Sequence, residues 1–176
     1  MRRLLFALVL LATGSGCSVP TGAPSAMVVV LEVPPFAAQV RSDDCASVAL
    51  ASLLAYHGRE ISAAEIDRQI YDPVLGGSLL LDLENYAAEQ GAAPRSGRGD
   101  LTLLRSLLAD GIPVLLPLDL GWNRWKRPHY VVVTGYGPQQ FALYKKQGPM
   151  TTLSAAELER RWAGSGYLYL YLHDER

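Results

Sequence analysis

The spacing of the apolar residues changes after Gly111, and this change constrains the fold more than any other feature of the 176-residue sequence. Before Gly111, apolar residues recur at helical intervals in segments that end at glycine. After it come short apolar runs and one strictly alternating segment, which are typical of β-strands. Helices followed by consecutive strands predict an α+β domain with N-terminal helices packed on a C-terminal antiparallel sheet.

Local signals give approximate bounds for these elements. Asp43 or Asp44 is expected to cap the first helix, and Ser62 and Ser154 each begin a capping-box pattern. The predicted helices cover 43–56, 62–71, 79–90, 100–109 and, among the strands, 154–162. The predicted strands cover 27–33, 112–118, 130–136, 140–145 and 167–172.

The first 17 residues predict export. Arg2 and Arg3 precede nine apolar residues, and small residues then lead to Cys17, as in a secretory signal peptide. The apolar run is too short for a permanent membrane span. Ser15-Gly16-Cys17 resembles the lipobox of bacterial lipoproteins, which implies lipidation of Cys17; the alternative is ordinary cleavage nearby with Cys17 unmodified.

This interpretation divides the chain into a signal peptide (1–17), a flexible tether (18–26) and one domain (27–176). The tether is rich in proline, glycine and serine, which bury little surface. By resemblance to lipoprotein sorting rules, Ser18 favours the outer membrane, on its periplasmic face. We therefore expect a lipid-anchored protein of the bacterial cell envelope.

Composition excludes several classes of protein. Hydrophobic residues make up 49% of the chain and charged residues 19%, which supports one packed domain rather than a disordered chain. A net charge of −1 gives no basic surface for nucleic acid. Two cysteines and three scattered histidines form neither a disulfide scaffold nor a metal site, so no metal and no cofactor are expected.

Three residues have the right types for thiol catalysis. Cys45 is predicted near a helix start, where the helix dipole favours a thiolate, although Asp43 and Asp44 oppose this. His129 begins the segment HYVVVTGY and is a candidate base, while the amide of Gln39 is a candidate oxyanion donor. The alternatives are a small buried hydrophobe, a rim histidine without a task and a solvated glutamine.

The ordered series of motifs resembles the double-glycine peptidases, papain-like cysteine peptidases that process bacteriocin leaders. The resemblance covers about residues 27–172 and implies a papain-like fold. It also implies that Cys45 is the nucleophile, His129 the base and Gln39 the oxyanion donor. The matching segments are Gln39 to Cys45, DCASVALA at 44–51, YHG at 56–58, GGSL at 76–79, GIPV at 111–114, HYVVVTGY at 129–136 and LSAAELERRW at 153–162.

One departure concerns the group that orients the histidine. The family usually has an aspartate on the strand after the histidine strand, whereas this sequence has Lys145 at or near that position. A lysine cation disfavours imidazolium and cannot accept its N–H. Gln147 and Asp119 are candidate replacements.

Trp122 and Trp125 lie in an aromatic and basic loop just before His129, and we assign them, with Gly77, to the substrate-binding surface. The alternative for the tryptophans is that they cover the core. The sequence therefore predicts a cysteine peptidase or amide hydrolase that acts on a peptide or protein. The alternative is a degraded papain-like module that binds such a partner.

Overall fold

One seven-stranded antiparallel sheet carries helices on both of its faces. The computed structural model describes residues 26–37, 44–121 and 128–173. Its helices are α1 (Cys45–Tyr56), α2 (Ala63–Ile70), α3 (Leu80–Glu89), α4 (Leu101–Ala109) and α5 (Ala155–Ala163). Its strands are β1 (Val29–Val30), β2 (Pro94–Arg98), β3 (Val114–Asp119), β4 (Pro128–Tyr136), β5 (Gln140–Tyr144), β6 (Thr151–Ser154) and β7 (Leu168–Leu172).

The strand order is β2-β7-β3-β4-β5-β6, and β1 pairs with the end of β4. Strands β3 to β6 form a meander of neighbours, whereas β7 returns to pair with β3. The central pair, β3 and β4, aligns Leu118 with His129 and Asp119 with Pro128. His129 therefore lies at the rim of the sheet, beside the end of β3.

The two faces of the sheet hold separate hydrophobic clusters. Leu115 and Val132 face the cluster formed with α1, α2 and α3. Their chain neighbours Leu116 and Val131 face a second cluster, which includes Leu158 and other residues of α4 and α5. Because both faces are covered, the central strands are apolar along their length instead of alternating with polar residues.

The α+β fold class and the helix positions are confirmed, including the capping serines. The side chains of Ser62 and Ser154 accept hydrogen bonds from the backbone N–H groups of Glu65 and Glu157. Asp44 occupies the N-cap position of α1, but its side chain makes no capping hydrogen bond. Asp43 lies outside the described residues.

The structure corrects the strand predictions in two respects. The strand expected over 27–33 is limited to Val29–Val30. Strands β2 and β6 were not predicted, because the PRSGR and TTLS segments have little apolar character and lie at the edges of the sheet. The sheet is also covered on both faces, because α4 and α5 pack on the side opposite α1.

The predicted signal peptide and most of the predicted tether lie outside the described residues. Among the residues that are described, no helix is long and apolar enough to cross a membrane.

Candidate active site

A cleft of about 500 Å³ opens where the first residue of α1 meets the rim of the sheet. Its walls come from α1, from the loop before α3, from the end of β3 with the start of β4, and from the loop before β7. The lining residues are Cys45, Ala46, Leu75, Gly76, Gly77, Ser78, Leu79, Leu80, Pro117, Pro128, His129, Tyr130, Ser165 and Leu168. Cys45, His129 and Gly77 were separated widely in the sequence, and the fold brings all three to this cleft.

Cys45 is the first residue of α1 and is 8% exposed. The rest of this helix is small or apolar, and its burial between α2, α3 and the sheet fixes the position of the thiol. Burial raises the pKa of the Cys45 thiol, and the Asp44 charge adds a smaller increase. Backbone N–H groups of Tyr130 and Ala46 act in the opposite direction, because they donate toward the sulfur.

Burial and the Asp44 charge outweigh the backbone hydrogen bonds, so the pKa of the Cys45 thiol is raised and the thiol is protonated at neutral pH. A thiol in this state becomes a nucleophile only when a neighbouring base takes its proton during attack. His129 lines the same cleft, and Tyr130, the next residue, donates its backbone N–H toward the sulfur. The site therefore places a titratable ring close to a thiol that needs a base.

The imidazole of His129 is held through Nε2, which lies within hydrogen-bond distance of the main-chain oxygen of Lys145. A carbonyl oxygen only accepts, so Nε2 carries the proton and donates it. In the neutral ring, Nδ1 then carries the lone pair that a general base requires.

Tyr130 adds a link across the cleft that the sequence did not suggest. Its hydroxyl donates to the main-chain oxygen of Ser78 at 3.1 Å. Burial is the main cause that raises the pKa of the Tyr130 hydroxyl, followed by the charges of Cys45 and Asp82. The hydroxyl thus stays a neutral donor throughout the working pH range and joins β4 to the loop before α3.

The loop on this side turns at Gly76, whose φ of +62° favours glycine. The Asp72 carboxylate accepts from the backbone N–H groups of Val74 and Leu75 at 2.7 and 3.2 Å, and Asp72 pairs with Gly77 in an isolated β-bridge. A Cβ built on Gly77 would meet no heavy atom within 4 Å. Gly77 therefore lines the cleft with open space where a side chain would stand.

Another part of the cleft lining comes from the chain before β7, which the sequence did not indicate. The hydroxyl of Ser165 donates to the main-chain oxygen of Pro117, and its Oγ lies 2.9 Å from the main-chain oxygen of Trp162. The indole N–H of Trp162 in turn donates to the Leu168 oxygen at 2.7 Å. Trp162 ends the matching segment at 153–162, whereas no motif marks Ser165 or Leu168, which help to form the wall through main-chain position and the packing of α5.

The remaining predicted site residues take these positions. Asp119 ends β3 and its carboxylate accepts from the N–H of Gly121 at 2.8 Å, while Gln147 is exposed beyond β5. Neither prediction named the Lys145 main-chain oxygen that lies at Nε2 of His129. The expectations for Gln39, Trp122, Trp125 and Cys17 concern residues outside the described ranges.

Metal ligands do not cluster in residues 26–37, 44–121 and 128–173: no group of three His, Cys, Asp or Glu side chains there could hold an ion. The described part of the cleft offers a thiol, an imidazole, hydroxyl groups and main-chain donors and acceptors. These groups suit nucleophilic attack on a carbonyl carbon.

A cysteine at the start of a buried helix, opposite a histidine at the rim of an antiparallel sheet, defines the papain-like cysteine peptidase fold. The family model of the Peptidase C39 family matches residues 34–172, and the chain belongs to that family. This confirms the resemblance to double-glycine peptidases. No curated protein is significantly similar to the chain in sequence.

Solved structures share the fold. The peptidase domain of Streptococcus ComA, a bifunctional ABC transporter involved in quorum sensing, is 22% identical with a TM-score of 0.66, and the match covers 80% of this chain and 98% of that domain. A putative C39-like peptidase from Bacillus anthracis gives 15% identity and a TM-score of 0.69, over 85% and 98% of the two chains. A double glycine motif protease from an AMS/PCAT transporter was solved in complex with the leader peptide. It is 16% identical with a TM-score of 0.67, and the match covers 84% of this chain and 96% of that protease.

Proposed function

We propose that the protein is an active cysteine peptidase or amide hydrolase, with Cys45 as nucleophile and His129 as base. The observation that carries this proposal is the shared cleft, in which the buried thiol at the start of α1 and the imidazole held through Nε2 both line the wall. Membership of the Peptidase C39 family supports the same reaction type.

The reaction follows from the states of these two groups. As Cys45 attacks the carbonyl carbon, its thiol proton moves to Nδ1 of His129, and an S–C bond forms. The resulting imidazolium gives that proton to the leaving amine as the C–N bond breaks, which leaves an acyl-enzyme. Water, activated by the same ring, then releases the acyl group and restores the thiol.

The proposed substrate is a peptide or protein segment with small residues at the scissile bond. The cleft lining includes Gly77, which has no side chain, together with Pro117 and Ser165, so main-chain groups are available to hold the main chain of a substrate. One structural neighbour was solved as a double glycine motif protease with its leader peptide. We therefore favour peptides that carry a Gly-Gly pair, with Gln39 as the oxyanion donor and with Trp122 and Trp125 in substrate binding.

A comparison of wild type with Cys45→Ser tests the proposal. Both proteins are incubated with Gly-Gly-containing peptides and with matched peptides in which both glycines are replaced by valine, and acyl-enzyme is trapped for mass spectrometry. We expect cleavage and a covalent adduct only with wild type and only with the glycine peptides. Folded wild type that neither cleaves a peptide nor reacts with thiol electrophiles would contradict it.

The alternative is a degraded papain-like module that binds a peptide or protein partner. The raised pKa of Cys45 favours it, because a protonated buried thiol is unreactive unless a base assists. Thiol alkylation measured against pH in wild type and His129→Ala separates the two functions. Dependence of the rate on His129 supports the peptidase, whereas identical profiles support the binding module.

We infer that the protein acts outside the cytoplasm, anchored to the cell envelope through lipid on Cys17. The support is the sequence of residues 1–17, with its charged start, apolar run and small residues before the cysteine. Metabolic labelling with a fatty acid should mark wild type and fail to mark Cys17→Ala. Release of wild type into the soluble periplasmic fraction, without label, would contradict the anchor.

A further inference from the structure

We propose that the main-chain carbonyl of Lys145 is the positioning group that orients His129, in the place of a carboxylate side chain. The positioning role rests on the proposed peptidase function, whereas the hydrogen bond is a property of the folded chain. The observation is the contact between Nε2 of His129 and the Lys145 oxygen.

The fold explains why this carbonyl is available. Strand β5 ends at Tyr144, which pairs with Val132 of β4. Lys145 is the first residue beyond the strand, so its carbonyl lies outside the regular ladder while still held beside β4. His129 stands near the start of β4, and its ring reaches across to this position on the neighbouring segment.

The chemistry matches what an orienting group must do. Because the carbonyl oxygen only accepts, it selects the neutral tautomer that has hydrogen on Nε2 and a lone pair on Nδ1. When Nδ1 takes the thiol proton, the ring becomes an imidazolium and Nε2 continues to donate to the same oxygen. The carbonyl neither gains nor loses a proton, so its task is positional throughout the cycle.

This assignment accounts for a lysine where an acid is expected. The ammonium group of Lys145 cannot accept a hydrogen bond, but any residue at this position supplies a main-chain oxygen that can. The side chain at position 145 is thereby released from the orienting task. A neutral dipole also stabilises the imidazolium less than a carboxylate would, which agrees with a site where the proton moves during attack.

The experiment weakens the carbonyl without changing the side chain at 145. Residue 146 is replaced in the full chain by an α-hydroxy acid, which turns the 145–146 amide into an ester with a poorer acceptor oxygen. The matching amino acid at 146 is the first control, and an ester at the exposed 147–148 linkage is the second. Ring nitrogen NMR shifts, assigned with His129→Gln, report the tautomer and the exchange rate of the Nε2 proton.

We expect the 145–146 ester to speed exchange of the Nε2 proton several-fold and to lower kcat/KM about tenfold. This is less than the roughly 10²–10⁴-fold that general acid–base catalysis supplies, because the ester weakens the acceptor without removing it. Lys145→Met, Gln147→Ala and Asp119→Asn should each leave hydrogen on Nε2. An unchanged Nε2 proton in the folded ester variant, or its loss in Gln147→Ala or Asp119→Asn, would overturn the inference.

The two readouts separate this inference from the proposed function. If the ester speeds exchange of the Nε2 proton but wild type cleaves no peptide, the hydrogen bond stands, while the peptidase and with it the positioning role in catalysis fail. If wild type is active and the ester leaves both the ring and kcat/KM unchanged, the peptidase stands and Lys145 is not its positioning group.

Discussion

The hydroxyl of Tyr130 donates a hydrogen bond to the main-chain oxygen of Ser78 at 3.1 Å. This bond joins β4, which carries His129, to the loop that contains Gly77, and both elements line the cleft. The buried Tyr130 therefore ties the histidine strand to the loop before α3. We therefore expect that removing the Tyr130 hydroxyl lowers the activity as well as the stability.

Tyr130→Phe should lower kcat/KM several-fold and the free energy of unfolding by about 1 kcal/mol, since the Ser78 oxygen loses its donor. Steady-state kinetics and chemical denaturation measure the two effects. The matched control is Tyr56→Phe, which removes a 2.8 Å bond to the Gly111 oxygen away from the cleft. It should cost similar stability with unchanged kcat/KM; equal losses of activity in both variants would contradict the cleft-specific role.

The alkylation rate of Cys45 should continue to rise at pH values above about 8.5, the pKa of an ordinary thiol. Burial raises the pKa of the Cys45 thiol, so alkylation by a small neutral reagent should be slow at pH 7 and reach its midpoint above that range. Rates are measured from pH 6 to 10, with a free cysteine peptide as reference. A midpoint below that of the peptide would contradict the effect of burial.

The raised pKa of Cys45 also predicts that the free energy of unfolding decreases at high pH. The folded state holds the thiol proton more tightly than the unfolded chain, so the stabilisation is complete below about pH 8.5 and is lost as the pH rises through the folded value. Cys45→Ala should therefore lose less stability than wild type between pH 8 and 10. Parallel denaturation curves for the two proteins across this range would contradict the linkage.

Asp44→Asn should speed alkylation of Cys45 at neutral pH several-fold. The Asp44 charge is one of the causes that raise the pKa of the thiol, and removing it makes the thiolate easier to form. Asp110→Asn, at the exposed end of α4, is the control for loss of one negative charge far from the cleft. Equal acceleration in the two variants would assign the effect to net charge.

Gly77→Ala should lower kcat/KM about fivefold or more while leaving the stability within about 0.5 kcal/mol of wild type. A Cβ on Gly77 meets nothing within 4 Å, so the fold accommodates it, and because Gly77 lines the cleft we expect the added methyl group to interfere with a bound substrate. Gly135→Ala is the opposite case, because its Cβ would collide with the main-chain oxygen of Val29 and displace β1. If Gly77→Ala keeps full activity, Gly77 is not part of the substrate surface.

Much of the site could be predicted because side-chain type carries information along the chain. A cysteine that opens an apolar helix and a histidine that opens an apolar strand are visible as patterns, and the structure brings Cys45 and His129 to one cleft. The helix starts at Ser62 and Ser154 were also visible, because capping depends on local hydrogen bonds.

The sequence by itself determined the α+β class, the family and the types of group available for chemistry. Only the tertiary structure decided that the partner of Nε2 is the Lys145 carbonyl, and that Tyr130, Ser165 and Leu168 help to build the cleft. The physical reason is that every residue carries the same main-chain donors and acceptors. Which of them meets a side chain depends on where a strand ends and how the sheet is packed, and residue type does not record that.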